Sequence, residues 1–184
     1  VGGLVGQHSG TSTYITNSYS EASVTGSSNV GGLVGRFTTA GSTYTLARCY
    51  STGTVNGTTN VGGLVGYNYF SNMENSYSSS PVNGTNYVGG LVGYAEGTST
   101  SSNYANIRYC YSLGTVNGTS SVGGLIGYRN NSTYVPVTNS YWNIETSTRT
   151  SSPGGGDGRT TLDMVQTLNY LSWNFSTIWN INFL

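Results

Sequence analysis

The chain has 184 residues, and only 7% of them are charged, against about 25% in ordinary globular proteins. Six arginines balance six acidic residues and lysine is absent, so the sequence lacks the basic surface that nucleic acids require. It also lacks the run of roughly 18 apolar residues that a membrane-spanning helix needs. We therefore expect no nucleic-acid partner and no membrane insertion.

A six-residue motif, Val-Gly-Gly-Leu-Val-Gly, occurs five times, once with Ile in place of the second Val. The copies begin 29, 31, 27 and 34 residues apart. A period of this size is typical of solenoids, in which one short unit stacks on the next. Each copy contributes one leucine, and we expect these leucines to lie above one another: Leu4, Leu33, Leu64, Leu91 and Leu125.

A second motif, such as Asn-Ser-Tyr-Ser, recurs with the first and contributes the motif tyrosines Tyr19, Tyr50, Tyr77, Tyr111 and Tyr141. The next Val-Gly-Gly-Leu-Val-Gly copy always begins 11 residues after a motif tyrosine, whereas 11 to 18 residues separate the end of a copy from the tyrosine that follows. Each repeat therefore has a fixed half and a variable half, and we expect the insertions in loops on one side of the stack.

Alternation within the repeat predicts three short strands per coil. After the motif tyrosine, small residues and a valine such as Val55 occupy every second position, which favours them for the interior and the tyrosines for the exterior. Asn56-Gly57 and its equivalents predict a tight corner, because both residue types accept positive φ. The Val-Gly-Gly-Leu-Val-Gly motif forms the next strand, and a less regular strand such as Thr43–Arg48 completes the coil.

Two cysteines, Cys49 and Cys110, precede the motif tyrosine in the second and fourth repeats, with Ser76 in the same position between them. In a stack their Cα atoms lie about 9.5 Å apart, which exceeds the ~7 Å limit for a disulfide. We predict two free, buried thiols that act as small apolar side chains.

The repeat pattern ends after Tyr141. Residues 151–158 read as a loop or linker that is rich in glycine. Thr160 and Asp163 form a capping-box pattern, which predicts a helix from about Thr161 to Tyr170. Aromatic and polar residues then alternate from residue 173 to residue 183, which predicts one or two strands with an aromatic inner face. The chain thus divides into a repeat solenoid, residues 1–142, and a C-terminal cap, residues 143–184.

The sequence Cys49–Gly57, followed by Val-Gly-Gly-Leu-Val-Gly, resembles the GLUG repeat of bacterial and archaeal cell-surface proteins, and the resemblance extends from residue 1 to about residue 142. Residues 160–175 look like the tail that often follows such arrays. The resemblance implies a β-solenoid of about five coils, with secretion and surface display, and it brings no catalytic residues. Some bacterial IgA-specific metallopeptidases carry the repeat outside their catalytic region, but this chain has no His-Glu-x-x-His zinc signature.

Other signals of catalysis are weak, so we expect a protein that is not an enzyme and has no catalytic residues, metal site or cofactor. His8 is the only histidine, and a stack separates it from both cysteines. The glutamates fall at positions that are not equivalent between repeats, which is typical of scattered surface charge. Asp157 alone offers far fewer oxygen ligands than Ca²⁺ requires.

Two sets of residues are candidates for surface function. The first is a ligand face of loop tyrosines, since Tyr gives adaptable contacts at low entropic cost: Tyr44, Tyr69, Tyr94, Tyr104 and Tyr128. Structural stacking between coils is the other explanation of these tyrosines, and the favoured one. The second is a set of Asn-x-Ser/Thr acceptors for glycosylation: Asn56, Asn83, Asn117, Asn130, Asn131 and Asn174.

The function predicted from these features is that of a secreted or cell-surface structural or adhesive module. Because residues 1–6 already belong to a repeat, the first coil presents an unpaired strand edge, and head-to-tail pairing with a strand-like tail would give an extracellular filament. The partners would be other copies, the flanking domains of a larger surface protein, or glycans. The alternative is a carbohydrate-binding module that uses exposed loop tyrosines. Ice binding is disfavoured because no regular threonine face repeats from coil to coil.

Overall fold

The structure of the protein is a computed structural model that describes residues 1–11, 14–40, 46–98, 104–170 and 172–179. Across these residues the chain winds into stacked coils of short parallel strands, which confirms the predicted all-β solenoid. No helix in this described part is long and apolar enough to cross a membrane.

Strands of successive coils pair in five ladders among the described residues. Ladder I contains Val5–Thr11, Val34–Ala40, Val65–Tyr69, Val92–Glu96 and Ile126–Arg129. Ladder II contains Ile15–Thr16, Leu46–Ala47, Met73–Glu74, Ile107–Arg108 and Val137–Thr138. Ladder III contains Tyr19–Ser20, Tyr50–Ser51, Tyr77–Ser78, Tyr111–Ser112, Tyr141–Asn143 and Asp157–Arg159. Ladder IV contains Val24–Thr25, Val55–Asn56, Val82–Asn83 and Val116–Asn117. Ladder V contains Ser28–Gly31, Thr59–Gly62, Asn86–Gly89 and Ser120–Gly123.

The register of the ladders follows the sequence repeat. In ladder V, Val61 pairs with Val30 on one side and with Val88 on the other. In ladder III, Tyr77 pairs in the same way with Tyr50 and Tyr111. Equivalent residues therefore occupy successive rungs, and the variable half of each repeat forms the connection between ladder I and ladder II.

Five ladders replace the three predicted strands per coil because two of the predicted segments turn a corner. Within Val-Gly-Gly-Leu-Val-Gly, the second glycine and the leucine separate ladder V from ladder I. There the N–H groups of Leu33 and Val34 both donate to the carbonyl oxygen of Leu64, at 3.0 and 3.1 Å. The segment after the motif tyrosine likewise divides between Ser51 and Val55 into ladders III and IV.

The prediction of positive φ at the Asn-Gly corner is wrong. Left-handed residues occur at two other positions of the repeat. One position directly precedes the first valine of the second to fifth copies, at Asn29, Asn60, Tyr87 and Ser121. The other lies two residues before the motif tyrosine, at Asn17, Arg48, Asn75, Tyr109 and Asn139. Glycine is required after Asn56 for another reason: a Cβ on Gly57 would lie 2.7 Å from Val61 Cγ2 and 2.9 Å from Val30 Cγ2. Residue 57, at the corner, is therefore glycine because the chain there passes close to the valine side chains of ladder V.

The core confirms the predicted interior face. Leu33, Leu64, Leu91 and Leu125 are completely buried and pack with the isoleucine, valine and methionine side chains of ladders I and II. The valines of ladders IV and V form a second buried cluster. Ser51 also points inward, and its hydroxyl donates to the carbonyl oxygen of Gly63 at 2.6 Å.

Leu4 departs from this pattern, since 53% of its surface is exposed. It lies on the first coil, where the following coil covers it on one side only. Burial of the repeated leucine thus depends on neighbours above and below, as expected of a solenoid.

The opposite end of the stack is covered. Trp142 takes the interior position that Ser112 holds one coil earlier, and its indole N–H donates to the carbonyl oxygen of Arg149 at 2.9 Å. The segment predicted to be a loop lies against this last coil: Gly124 N–H donates to Ser151 O at 3.1 Å, and Asp157–Arg159 adds a strand to ladder III. Serine and glycine suit this segment because it approaches other backbone closely.

The predicted helix begins at the expected residue but ends early. Thr160 and Asp163 form both hydrogen bonds of the capping box, and the helix spans Thr161–Met164, followed by a 3₁₀ turn at Thr167–Asn169. Its apolar residues do not face a core, because Leu162 is largely exposed and Leu168 is 90% exposed. Without a buried stripe, nothing outside the helix stabilises further turns.

Residues 172–179 form turns rather than the predicted strand. The side chain of Asn174 accepts hydrogen bonds from the N–H groups of Ser176 and Thr177, both at 3.0 Å, and these bonds fold the chain back. The remainder of the predicted strand, residues 180–183, lies outside the described residues.

Candidate functional site

The motif tyrosines form one continuous column on the outside of ladder III. Successive ring centroids from Tyr19 to Tyr50, Tyr77 and Tyr111 lie 4.9, 5.0 and 4.9 Å apart, and neighbouring planes differ by at most 7°. The spacing equals that of the strands, because each tyrosine occupies the same rung position. Each ring covers the face of the next, so the column presents mainly ring edges and hydroxyl groups to solvent.

Aromatic residues of the C-terminal segment cover one end of this column. Trp179 lies 5.4 Å from Tyr111 and 6.3 Å from Tyr77, measured between ring centroids. Tyr170 meets Tyr141 edge to face at 5.2 Å. The C-terminal segment thus packs sideways on the tyrosines, and exposure falls along the column from Tyr19, which is open to solvent, to Tyr141, which is buried.

A cleft of about 350 Å³ lies between the C-terminal segment and the solenoid, and its described lining carries no charged side chain. Polar groups of the lining form internal hydrogen bonds. The amide of Asn143 donates to the Thr161 hydroxyl at 2.9 Å, and the Thr146 hydroxyl donates to Leu113 O at 2.5 Å. The indole N–H of Trp179 is buried and has no hydrogen-bond partner among the described residues.

Three tyrosines and one arginine lie at equivalent positions on the outside of ladder I, and we call them the outer column: Arg36, Tyr67, Tyr94 and Tyr128. The rings of Tyr67 and Tyr94 are stacked at 5.1 Å with planes 8° apart, and the Arg36 guanidinium lies 5.4 Å from the Tyr67 ring. Tyr128, at the end of the column, is tilted by 49° against Tyr94 and is 38% exposed.

One hydrogen bond joins the outer column to a charged group. The hydroxyl of Tyr67 donates to a carboxylate oxygen of Glu96. Burial raises the pKa of Tyr67 well above its usual value, and the hydrogen bond to Glu96 and its negative charge raise it further. Tyr67 is therefore protonated at any physiological pH and acts as a donor that holds Glu96.

The structure brings together part of the predicted ligand face. Tyr94 and Tyr128 belong to the outer column, and Tyr69 lies beside Tyr67, 5.8 Å away. Tyr104 lies elsewhere, in contact with Tyr134, and Tyr44 lies outside the described residues. The ligand face predicted from the sequence did not include Tyr67 or Tyr87. Their positions would have identified them, because Tyr67 directly follows one Val-Gly-Gly-Leu-Val-Gly copy and Tyr87 directly precedes the next.

The described residues bring together none of the groups considered for catalysis or metal binding. No cluster of three or more His, Cys, Asp or Glu side chains occurs in the described part of the chain. His8 packs against Phe37 at 4.8 Å, and burial lowers its pKa. Glu74 pairs instead with Arg108, at 3.0 Å.

The two cysteines are free and buried, as predicted. Burial raises the pKa of Cys110 to about 12 and also raises that of Cys49. Each thiol lies within 3.3 Å of a backbone carbonyl oxygen two residues earlier in the chain. Because only the thiolate is a good nucleophile, neither residue is suited to nucleophilic catalysis.

The candidate glycosylation residues differ in how their amide groups are used. In ladder IV the amide of Asn83 donates to Asn56 at 2.9 Å, and that of Asn117 donates to Asn83 at 3.1 Å. The amide of Asn130 donates to Gly97 O at 2.8 Å. For Asn131 and Asn174, the side-chain oxygen accepts hydrogen bonds within a turn.

Stacked coils in register, a buried core that runs through them and a column of stacked tyrosines define the chain as a β-solenoid repeat protein. Two adjacent coils, residues 57–83 and 84–117, match the GLUG motif. This match and the fold are those of a structural repeat module.

Among solved structures, a protein from Bacteroides ovatus provisionally assigned as an immunoglobulin A1 protease has the same fold, with a TM-score of 0.64 and 19% sequence identity. The similarity covers 94% of this chain and 59% of that protein. No curated protein matches the sequence.

Proposed function

We propose that this chain is a non-catalytic module, secreted or displayed on the cell surface, whose solenoid acts as a rigid stalk or adhesive surface. The observation that supports this most directly is the register of the ladders. Among the described residues, successive coils pair in all five ladders, and in ladder I the pairing continues from Val5–Thr11 through every coil to Ile126–Arg129.

Such a stack is stiff because every coil is bonded to its neighbours through backbone groups. In the described residues the interior is filled by leucines, valines and buried serines, so neighbouring coils are also joined by packed side chains. The outside repeats the same side chains at about 5 Å, so a partner with its own repeat can make many weak contacts at once, and their effects combine.

Catalysis can be tested directly, since the structural relative carries a peptidase name. The purified chain is incubated with immunoglobulin A1, with and without added zinc, and the products are separated by electrophoresis. We expect intact immunoglobulin under both conditions. Cleavage that increases with the concentration of the chain would refute the non-catalytic assignment.

Surface display is tested by treating intact cells of the source organism with a protease that cannot enter them. Loss of the chain from these cells, together with retention of a cytoplasmic control protein, is the expected result. Protection of the chain until the cells are broken would contradict this part of the proposal.

Assembly into a filament is also part of the proposal. Asp157–Arg159 is the last described strand of ladder III and pairs with Tyr141–Asn143 on one side. No described strand pairs with its other edge, where a strand of another copy would add. Negative-stain microscopy of native material should show threads with an axial repeat. Uniform monomers at all concentrations would count against assembly.

Carbohydrate binding is the second candidate, and the exposure of Tyr128 at the end of the outer column favours it. A sugar ring can stack on an aromatic face, and Tyr128 is the least covered member of that column. A glycan array with the unmodified chain and Tyr128→Ala tests this function. Leu168→Ala is the matched control, because it removes a similar exposed apolar side chain. Binding that survives Tyr128→Ala would refute this site.

A further inference from the structure

Three coils carry the same triplet, Asn-Gly-Thr, at the same corner: residues 56–58, 83–85 and 117–119. In each, the asparagine ends a strand of ladder IV and the glycine follows it. Their local sequences are identical, so any difference in their chemistry must come from their positions in the stack.

Asn-Gly is the sequence most prone to spontaneous deamidation. The backbone nitrogen of the glycine attacks the side-chain carbonyl carbon of the asparagine, the new C–N bond closes a five-membered imide, and the amide nitrogen leaves as ammonia with the proton from the glycine N–H. Water then opens the imide at either carbonyl, giving aspartate or isoaspartate. The step requires a glycine N–H that is free to lose its proton and to approach the side chain.

In the first two triplets the glycine N–H donates a backbone hydrogen bond to the neighbouring coil. Gly57 N–H donates to Asn83 O at 2.9 Å, and Gly84 N–H donates to Asn117 O, also at 2.9 Å. Each bond runs from one coil to the next coil along the chain. The direction is the same every time, because parallel strands in register orient their donors alike.

The third triplet lacks the corresponding hydrogen bond. Gly118 N–H has no hydrogen-bond partner among the described residues, since the last coil contacts this part of ladder IV through Ser147 and Arg149, which bond to Val116 instead. The side chain of Asn117 is exposed, whereas those of its two counterparts are partly buried.

The side-chain amides show the same gradient. Asn83 uses both ends of its amide, accepting from Asn117 at 3.1 Å and donating to Asn56 at 2.9 Å. The side-chain oxygens of Asn56 and Asn83 each accept one of these bonds, whereas that of Asn117 accepts none among the described residues. The side-chain carbonyl that would be attacked and the glycine nitrogen that would attack it are therefore both without a hydrogen bond in the third triplet.

We propose that Asn117 is a site of spontaneous deamidation in the folded protein, and that the stack protects Asn56 and Asn83. The product carboxylate cannot donate the hydrogen bond that Asn117 gives to Asn83. Isoaspartate also lengthens the backbone beside Val116, at the junction with the last coil. Ageing of the protein would thus begin by loosening the contact between ladder IV and residues 147–149.

The experiment is peptide mapping by mass spectrometry after incubation of the folded chain at mildly alkaline pH, with aspartate and isoaspartate measured separately at each triplet. We expect deamidation of Asn117 to be up to about tenfold faster than that of Asn56 or Asn83, since one lost backbone hydrogen bond corresponds to at most about a tenfold change in rate. Equal rates, a faster reaction at Asn83, or no reaction at Asn117 would each overturn the proposal.

Two controls make the comparison specific. In denaturant the three triplets should react at similar rates, because their sequences are identical; a persistent preference for Asn117 there would show that the stack is not the cause. Asn117→Gln should abolish the reaction at residue 117 and leave the other two rates unchanged. Acceleration at Asn83 in this variant would mean that the side-chain bond, rather than the glycine N–H, provides the protection.

Discussion

Leu91 provides the sharpest test of the stacked core. Its side chain is completely buried, and its backbone bonds to coils on both sides: Leu64 N–H donates to Leu91 O at 2.9 Å, and Leu91 N–H donates to Leu125 O at 2.8 Å. Leu91→Ala keeps these backbone bonds and removes only the side-chain packing. The change therefore isolates the contribution of the core.

The expected loss in the free energy of unfolding is about 3 kcal/mol, within the range of about 2 to 5 kcal/mol for leucine to alanine at a buried site. The solenoid interior is narrow and its backbone is fixed by ladders, so the cavity cannot collapse easily. Leu4 occupies the same repeat position but is 53% exposed, and Leu4→Ala should cost about 1 kcal/mol or less.

The assay is urea denaturation of the unmodified chain and both variants, followed by far-ultraviolet circular dichroism and by tryptophan fluorescence. Circular dichroism reports on the whole stack, whereas the tryptophans report on its C-terminal end. A cost below about 1 kcal/mol for Leu91→Ala, or equal costs for the two variants, would refute the view that coils above and below provide the stability.

Three further predictions follow from the same structure. Gly93→Ala should destabilise the protein by about 1 to 3 kcal/mol or more, because the new Cβ would lie 2.5 Å from Val61 N. Gly6→Ala, at the equivalent position of the first copy, is the control, since its Cβ would meet no atom within 4 Å. Equal melting temperatures of the two variants in thermal denaturation would contradict the argument. Cys110 should resist thiol reagents in the native state and react after unfolding, since it is buried with its pKa raised to about 12; rapid native labelling would show the packing to be wrong. Burial raises the pKa of Tyr170 to about 12, above the value of about 10 in unfolded chains. The contribution of Tyr170 to stability is therefore complete below pH 10 and is lost as the pH rises towards 12. The urea midpoint of the unmodified chain should fall over this pH range and that of Tyr170→Phe should fall less; an identical slope in the variant would exclude Tyr170 as the cause.

The repeat itself was predictable because it is periodic. Residues that recur every thirty or so positions must occupy equivalent rungs if the strands are parallel and in register, and the pairing of Val61 with Val30 and Val88 follows that rule. The interior position of Ser51 was likewise predictable, since a narrow coil admits only small side chains and valines on its inner face.

Predictions failed where the local pattern had two explanations. Glycine after Asn56 was interpreted as turn chemistry, but it is required by contact with Val30 and Val61. The helix predicted from Thr161 to Tyr170 ends at Met164, since the apolar side chains of Leu162 and Leu168 face solvent and pack against no core. In each case the deciding contact, or its absence, involves residues that the local sequence does not specify.

Periodicity in the sequence alone therefore determined the number of coils, their register and the residues that fill them, because identical side chains at a constant spacing can all be satisfied by one stacked arrangement. Only the tertiary structure decided how the segment after Tyr141 lies on the last coil, how far Trp179 reaches across the tyrosines, and which Asn-Gly triplet has a glycine N–H outside the ladder. These features depend on where the series of coils stops, and the last member of a series differs from the others only in its neighbours.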